Sequence, residues 1–187
     1  MAPILGIYAS QISGHLFAPS GAYDSIATTT VGAGGTSTIT FSSIPSTYTH
    51  LQIRLICANN AGYYDSDIVM RFNGDTGSNY YKHRIYGSGS AVAADAGSGT
   101  TMQVARSGGA AGIFGASVID ILDYTNTNKN KVVRSLYGQD SNGSGYMMFS
   151  SGLWNNTSAV TSITLNDANF NGFVQYTSAA LYGIKGN

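Results

Sequence analysis

Apolar and polar residues alternate along much of this chain, most clearly between residues 50 and 57. The apolar positions of this segment share one face of an extended strand, and they are Leu51, Ile53, Leu55 and Cys57. Gln52 and Arg54 fall on the opposite face. The alternation predicts a strand in a sheet that has one buried face and one solvent-exposed face.

Residues 24–31 and 36–41 are rich in β-branched residues, and a glycine-rich stretch at residues 32–35 separates them. β-branched side chains pack well on a pleated surface, and glycine adopts a positive φ at no steric cost. We therefore predict two strands joined by a glycine hairpin. The same reasoning predicts further strands at residues 68–72, 80–86, 100–104, 113–122, 131–137, 146–154, 162–165 and 174–184.

Turn-forming residues separate these predicted strands. Residues 123–130 indicate the turn of a hairpin, and residues 87–99, mostly Gly, Ser and Ala, indicate a loose loop. No segment has a sustained helical periodicity. About ten short strands with turns between them are typical of a sandwich or a barrel. We predict an all-β fold, an antiparallel β-sandwich of jelly-roll type with about ten strands.

The first 22 residues differ from the rest of the chain. Ile4, Leu5, Ile7 and Tyr8 form a short apolar cluster, and a looser stretch follows it. This segment is either a first edge strand of the domain or an arm that docks on another chain. An exposed apolar segment is poorly soluble unless a partner covers it. We therefore predict a docking arm at residues 1–22, with those four side chains as its contacts, and a β-sandwich domain at residues 23–187.

Composition narrows the classes of function. A chain of 187 residues fits one domain, and only 10% of its residues are charged, with nine basic and nine acidic side chains. Because no basic cluster is present, we expect no nucleic-acid partner. No apolar run is long enough to span a bilayer, and the N-terminus lacks the basic region of a signal peptide, so we expect neither membrane insertion nor secretory export. A surface with so few charged residues is poorly protected against association. The low charge therefore indicates that neighbouring proteins contact this surface.

Residues that carry chemistry are scarce. The single cysteine, Cys57, excludes an internal disulfide, and the three histidines, His15, His50 and His83, have no metal-ligand spacing. No Gly-x-Ser-x-Gly motif marks a nucleophile. Residues 73–79 place oxygen donors at alternate positions, as a calcium loop does, but lack its bidentate Glu, so a plain turn is favoured over a weak Ca²⁺ site. We predict no catalytic residue, no metal site and no cofactor.

Tyrosine is abundant, with 13 in the chain. Five of them lie within one quarter of the sequence, and they are Tyr63, Tyr64, Tyr80, Tyr81 and Tyr86. A tyrosine offers a large ring and a hydrogen-bonding tip, which suits a protein interface. The same ring, beside Asn and Asp side chains, suits the recognition of a sugar. We predict an oligomer contact first and a glycan contact second.

Several long motifs run from one end of the chain to the other. They are the segments 4–7, 24–41, 43–54, 71–80, 118–129, 151–156 and 180–186. In these motifs the chain resembles a family of small proteins from tailed bacteriophages, whose members are often uncharacterised. The resemblance implies a component of the virion, assembled in the host cytoplasm, and no enzyme. It supplies no catalytic residues, because its motifs are turns and strands.

These observations lead to a first hypothesis of a non-catalytic virion protein exposed on the particle. It would serve as a capsid decoration or head fibre, or as a tail fibre or adaptor, attached to other virion proteins by its arm and self-associating as a homotrimer. The alternative is a receptor-binding module that recognises glycans on the host surface through the tyrosine-rich region. A polysaccharide hydrolase, which needs paired carboxylates in a cleft, gains little support from nine acidic residues.

Overall fold

A computed structural model describes residues 22–60, 66–108 and 112–186 of the protein. Its described residues form twelve strands and no helix. The strands are β1 (Tyr23–Thr30), β2 (Thr38–Phe41), β3 (His50–Cys57), β4 (Asp67–Phe72), β5 (Tyr80–Gly87), β6 (Val92–Gly99), β7 (Met102–Arg106), β8 (Gly115–Leu122), β9 (Lys131–Asp140), β10 (Gly145–Trp154), β11 (Ile163–Asp167) and β12 (Ser178–Ile184). The predicted arm, with Ile4, Leu5, Ile7 and Tyr8, lies outside the described residues, as do Tyr63 and Tyr64.

The strands form two antiparallel sheets of unequal size. The large sheet has eight strands in the order β1-β12-β3-β8-β9-β10-β5-β6, and the small sheet has four in the order β2-β11-β4-β7. Consecutive strands share a sheet only at β5–β6, β8–β9 and β9–β10, so most connections pass from one sheet to the other. This arrangement confirms the predicted antiparallel β-sandwich. The finer jelly-roll assignment stays a prediction.

The core lies between the two sheets, and strict alternation supplies its side chains. In β3, Leu51, Ile53 and Leu55 are at most 1% exposed, as the sequence pattern predicts. In β4 of the small sheet, Ile68, Met70 and Phe72 are equally buried. Each such side chain contributes about 1.5–3 kcal/mol when it is removed from water. The two inner faces therefore hold the sandwich together.

The predicted glycine hairpin at residues 32–35 is wrong. β1 pairs with β12 in the large sheet, whereas β2 pairs with β11 in the small sheet, so the glycine turn carries the chain between sheets. Gly35 has a φ of +67°, and a Cβ at this position would lie 2.9 Å from the carbonyl oxygen of Phe173. The glycine is therefore required by the approach of the β11–β12 loop, and the short-range pattern alone does not reveal this.

The loose loop predicted at residues 87–99 is also wrong in its larger part. Val92–Gly99 forms β6, which pairs with β5 along its whole length and is an edge of the large sheet. Its residues are small and mostly exposed because only one strand flanks them and little packs on their faces. A strand in that position needs no apolar alternation, so its composition resembles a loop. β6 is the one strand of the twelve that the sequence does not predict.

A buried lysine fastens the turn between β8 and β9. Lys131, fully buried at the start of β9, points its ammonium at three backbone carbonyl groups. Its Nζ donates to the carbonyl oxygens of Asn126 at 2.6 Å, Lys129 at 2.8 Å and Thr157 at 2.9 Å. Three donors on the ammonium thus meet three acceptors. The contact joins the β8–β9 turn to the segment that follows β10.

Replacing Lys131→Met keeps the length of the side chain and removes all three donors. We expect a loss of about 2–4 kcal/mol in the free energy of unfolding, because buried carbonyl groups are left without partners. Urea unfolding followed by the emission of Trp154, the only tryptophan, measures this loss. Lys129→Met is the matched control, since Lys129 is largely exposed and pairs only with Asp123 in the described part of the chain. Equal stability of both variants would contradict the role of Lys131.

Candidate interaction surface

The two outer faces of the sandwich differ in polarity. On the small sheet, Thr40, Thr164 and Arg71 stand side by side on the outer face, each in register with the next. On the large sheet, the corresponding outward positions of the central strands are mostly apolar. The outer face of the large sheet is therefore partly apolar, in contrast to the outer face of the small sheet.

Seven apolar side chains on the large sheet form what we call the apolar face. They are Ile56, Ile85, Val92, Val118, Leu136, Met147 and Phe149, and their exposure ranges from 40% to 76%. The largest apolar patch on a typical monomer is about 300–600 Å². Seven large apolar side chains, each at least 40% exposed and adjacent to one another, therefore form an extensive patch for a protein surface.

Strand register makes the apolar face continuous. Val118 lies opposite Leu136, Leu136 opposite Phe149, and Phe149 opposite Ile85. This row crosses β8, β9, β10 and β5 without interruption. With strands about 4.8 Å apart, the row spans about 14 Å. Neighbouring side chains in such a row contact one another, so the row presents a single ridge.

A shallow groove lies beside this ridge, where Gly138 and Ala116 form a low floor between Ile56 and Met147. Its volume is about 500 Å³, and its walls are almost entirely carbon. Nothing lies within 4 Å of the position that a Cβ of Gly138 would take. The ridge and the groove give the apolar face a relief that a complementary surface can fill.

A polar row borders the apolar face, and its charges are paired. Arg134 Nε donates to Asp120 Oδ2 at 3.0 Å, and Gln52 Nε2 donates to Asp120 Oδ1 at 2.9 Å. Ser151 and His83 continue the row across β10 and β5. Because the carboxylate is already satisfied, this border adds no unpaired charge to the surface.

The predicted tyrosine cluster does not form one face. Tyr80 is 1% exposed, and its hydroxyl accepts a hydrogen bond from the Phe72 N–H at 3.0 Å, so its ring belongs to the core. Tyr86 points inward on the same side of β5 and stacks on Tyr146 with 5.3 Å between ring centroids. Tyr81 points outward and is 42% exposed. Alternation along β5 separates these rings, and this excludes Tyr80 from any contact at the surface.

A charged cluster that the sequence does not predict joins the two sheets near β5 and β6. Arg84 donates to both carboxylate oxygens of Asp95, at 2.7 and 2.6 Å. Arg84 also donates to Gln103 of β7, and Gln103 donates in turn to Asp67 of β4. The hydrogen bond from Arg84 lowers the pKa of Asp95. These groups neutralise one another, so the cluster fastens the sheets together.

Asp75, in the turn that resembles a calcium loop, accepts hydrogen bonds from other groups of the protein. Its carboxylate accepts hydrogen bonds from Asn79 Nδ2 at 2.9 Å, Trp154 Nε1 at 2.7 Å and the Gly77 N–H at 2.8 Å. Asn73 and Gly74 both adopt positive φ, as a tight turn requires. The turn interpretation is therefore confirmed. The described residues contain no group of three or more His, Cys or Asp side chains placed to hold a metal ion.

The two described histidines and the cysteine lie in environments that suit a structural role. His50 Nδ1 accepts a hydrogen bond from the Asp123 N–H at 3.0 Å, and His83 lies in the polar border of the apolar face. Cys57 is buried, and burial raises the pKa of its thiol to about 12. Such a thiol stays protonated at neutral pH and is a poor nucleophile. His15 lies outside the described residues.

No protein-family model, no curated protein and no solved structure matches this chain. The resemblance to phage proteins therefore stays a prediction from its motifs. A search of the described residues for a helix long and apolar enough to cross a membrane finds none.

The three hydrogen bonds to Asp75 make stability depend on pH. Chiefly the bond from Asn79, and then those from Trp154 and Gly77, lower the pKa of Asp75 in the folded protein. The unfolded chain therefore binds a proton first as the pH falls, and the stabilisation present at neutral pH is lost below about pH 4. We expect Asp75→Asn to lower the urea midpoint at pH 7 and to reduce its fall between pH 6 and pH 3. Parallel curves for variant and wild type over this range would contradict the assignment.

Proposed function

We propose that this chain is a non-catalytic structural protein of a bacteriophage virion, held on the particle by its N-terminal arm and self-associating through the apolar face. The observation that carries the self-association is the apolar face itself. The assignment to a virion comes from the motifs shared with small phage proteins. Decoration or fibre on the head and fibre or adaptor on the tail are the roles that fit such a protein.

The size of the apolar face fits a second copy of the chain as its occupant. A standard interface buries about 800 Å² on each partner, and the seven side chains of the apolar face, with the polar row beside them, supply the centre and one border of such a surface. Its centre, with Leu136 and Phe149, is apolar, and its border carries the Asp120–Arg134 pair. An apolar centre within a polar rim is the usual anatomy of a protein interface.

Charge supports association between identical chains. The protein carries nine basic and nine acidic residues, so two copies do not repel each other through net charge. We propose a homotrimer, in which the apolar faces of three copies meet along a threefold axis and each face contacts both neighbours. Closed rotational symmetry of this kind covers every copy's surface and leaves no open end.

The position of β1 supports a separate arm. β1 is an edge strand of the large sheet, and the two sheets close around their core with the described residues alone. Ala22, the first described residue, accepts a hydrogen bond from the Lys185 N–H at the same edge. The described part of the chain therefore begins at the margin of the large sheet, and the proposal is that the preceding apolar segment with Ile4 and Leu5 binds a carrier protein of the virion.

The glycan-recognition alternative gains little from the tyrosine-rich region. Of its three described tyrosines, Tyr80 is in the core, Tyr86 is half-buried and only Tyr81 is well exposed. Tyr81 lies on the outer face of the large sheet, separated from the apolar face by the polar row, so the tyrosine-rich region does not gather its rings into one sugar-binding surface. We therefore place the tyrosine-rich region second to the apolar face.

A charge placed at the centre of the apolar face should separate the copies. We expect Phe149→Glu to weaken self-association by at least about 100-fold, since it buries an unpaired carboxylate at an interface centre. Light scattering during gel filtration gives the mass across a dilution series. Thr40→Glu, on the polar outer face of the small sheet, is the matched control and should keep the mass of the wild type.

A monomeric wild-type protein at high concentration would overturn the proposed self-association, and so would an unchanged mass of the Phe149→Glu variant. The emission of Trp154 shows whether each variant is folded. If Phe149→Glu does not fold, Leu136→Glu tests the adjacent position of the same ridge.

Deleting residues 2–16 tests attachment. We expect the truncated protein to fold and self-associate as the wild type does, but to be missing from purified particles, because the apolar contacts of the arm are gone. Quantitative immunoblotting of particles measures incorporation, and immunogold labelling of wild-type particles locates the protein on head or tail. Normal incorporation of the truncated protein would contradict the arm, and its absence from wild-type particles would contradict the virion assignment.

A further inference from the structure

A second surface feature lies at one end of the sandwich, away from the apolar face. Two loops form it, residues 32–37 after β1 and residues 170–175 between β11 and β12, together with Asn60. They enclose a pocket of about 460 Å³, which we call the loop pocket. A volume of this order holds a small organic ligand.

Backbone contacts hold the two loops in place. The Thr36 N–H donates to the Phe173 carbonyl at 3.0 Å, and the Phe173 N–H donates to the Thr36 carbonyl at 2.7 Å. A Cβ on Gly172 would lie 2.9 Å from the Thr36 carbonyl oxygen, so the close approach requires glycine there. Phe173, 1% exposed, anchors the floor in the core. The loop pocket is therefore preformed.

An aromatic ring stands at the rim of this pocket. Phe170 is 93% exposed and has a φ of +60°, a conformation that a bulky residue adopts at a cost. Its backbone N–H is bonded to the Asp167 carbonyl at 3.1 Å, and the Asp167 side chain is 2% exposed and accepts from Ser66 and Asn59. This buried network thus fixes the backbone of Phe170 in its strained conformation, and the ring points into the solvent. Strain that the surroundings impose is common at functional sites.

The polar groups of the loop pocket carry no charge. Its described lining contains amide and hydroxyl side chains, namely Thr36, Ser37, Asn60, Asn171 and Gln175, and no Asp, Lys, Arg or His. Asn171 Nδ2 is itself closed off from the solvent, so the groups with which a ligand in the loop pocket can pair are the other amides and hydroxyls of the lining.

From these observations we propose that the loop pocket binds a neutral saccharide. Such a ligand has an apolar C–H face, which packs on an aromatic ring, and hydroxyl groups, which pair with amides such as that of Gln175. The exposed ring of Phe170 supplies the first contact, and Gln175 with the neighbouring neutral side chains supplies the second. A charged ligand is disfavoured because it would find no opposite charge in the lining.

This site is independent of the proposed self-association, because the loop pocket and the apolar face share no residue. It also differs from the glycan site predicted at the tyrosine-rich region. Asn60 is the nearest described residue before that region's Tyr63 in the sequence, and it lines the loop pocket.

A titration of the full-length protein tests the site. The methyl glycosides of glucose, galactose and N-acetylglucosamine, and a neutral-glycan array, serve as probes. We expect at least one glycoside to shift the NMR signals of the Gln175 side-chain amide and the Gly172 N–H in a saturable manner. Phe170→Ala should weaken that binding roughly three- to tenfold, the effect of losing one ring contact.

Tyr176→Ala is the matched control, since Tyr176 is 69% exposed on the same loop and also has a positive φ, but lies outside the lining. It should bind as the wild type does. If Phe170→Ala does not fold, Gln175→Leu, which removes the amide at nearly unchanged size, should reduce the affinity instead. The absence of any shift with glycosides at about 20 mM and of any array signal would overturn the proposal. Equal losses in Phe170→Ala and Tyr176→Ala would overturn it as well.

Discussion

The inequality of the two sheets is the constraint on which the other features depend. Eight strands face four, and side chains alternate along every strand, so each strand of the large sheet that buries one face presents another outward. If the outward side chains were polar, the outer face would simply be solvated. In this protein the central strands carry apolar residues on both sides, with Leu136 and Phe149 outward and Val133 and Met148 inward. An outward apolar set of this extent is typical of an interaction surface, and this is why self-association leads the functional proposal.

Alternation in the sequence predicts the faces of a strand, but it does not predict partners. Leu51, Ile53 and Leu55 could be assigned to the core from their spacing alone, and the structure confirms them. The pairing of β1 with β12 could not, because it joins residues at opposite ends of the chain. β6 was not predicted for a related reason. An exposed edge strand does not need alternating apolar residues, so its composition does not indicate a strand. Local signals therefore suffice for the class of fold and fail for topology.

The candidate sites show the same limit. Tyr80 and Tyr81 are adjacent in sequence, yet one ring is in the core and the other faces outward. A count of tyrosines cannot separate them before the register of β5 is known. Phe170 gave a weak signal, an aromatic residue between two asparagines and before a glycine, where a turn is expected. The role of Phe170 depends on Asp167 and Thr36, and the two loops bring these residues together only in the folded protein.

The place of β12 has a consequence for how the protein is made. The last of the twelve described strands, β12, lies between β1 and β3, and Lys185 beyond it pairs with Asp24 at 2.7 Å. The ribosome must therefore synthesise residues 31–177 before the gap between β1 and β3 can begin to close. Until then β1 has no neighbour in its sheet, and the half-built sheet offers open edges to other nascent chains. Pairing of β12 is thus the folding step before which the chain is most exposed to association with its neighbours.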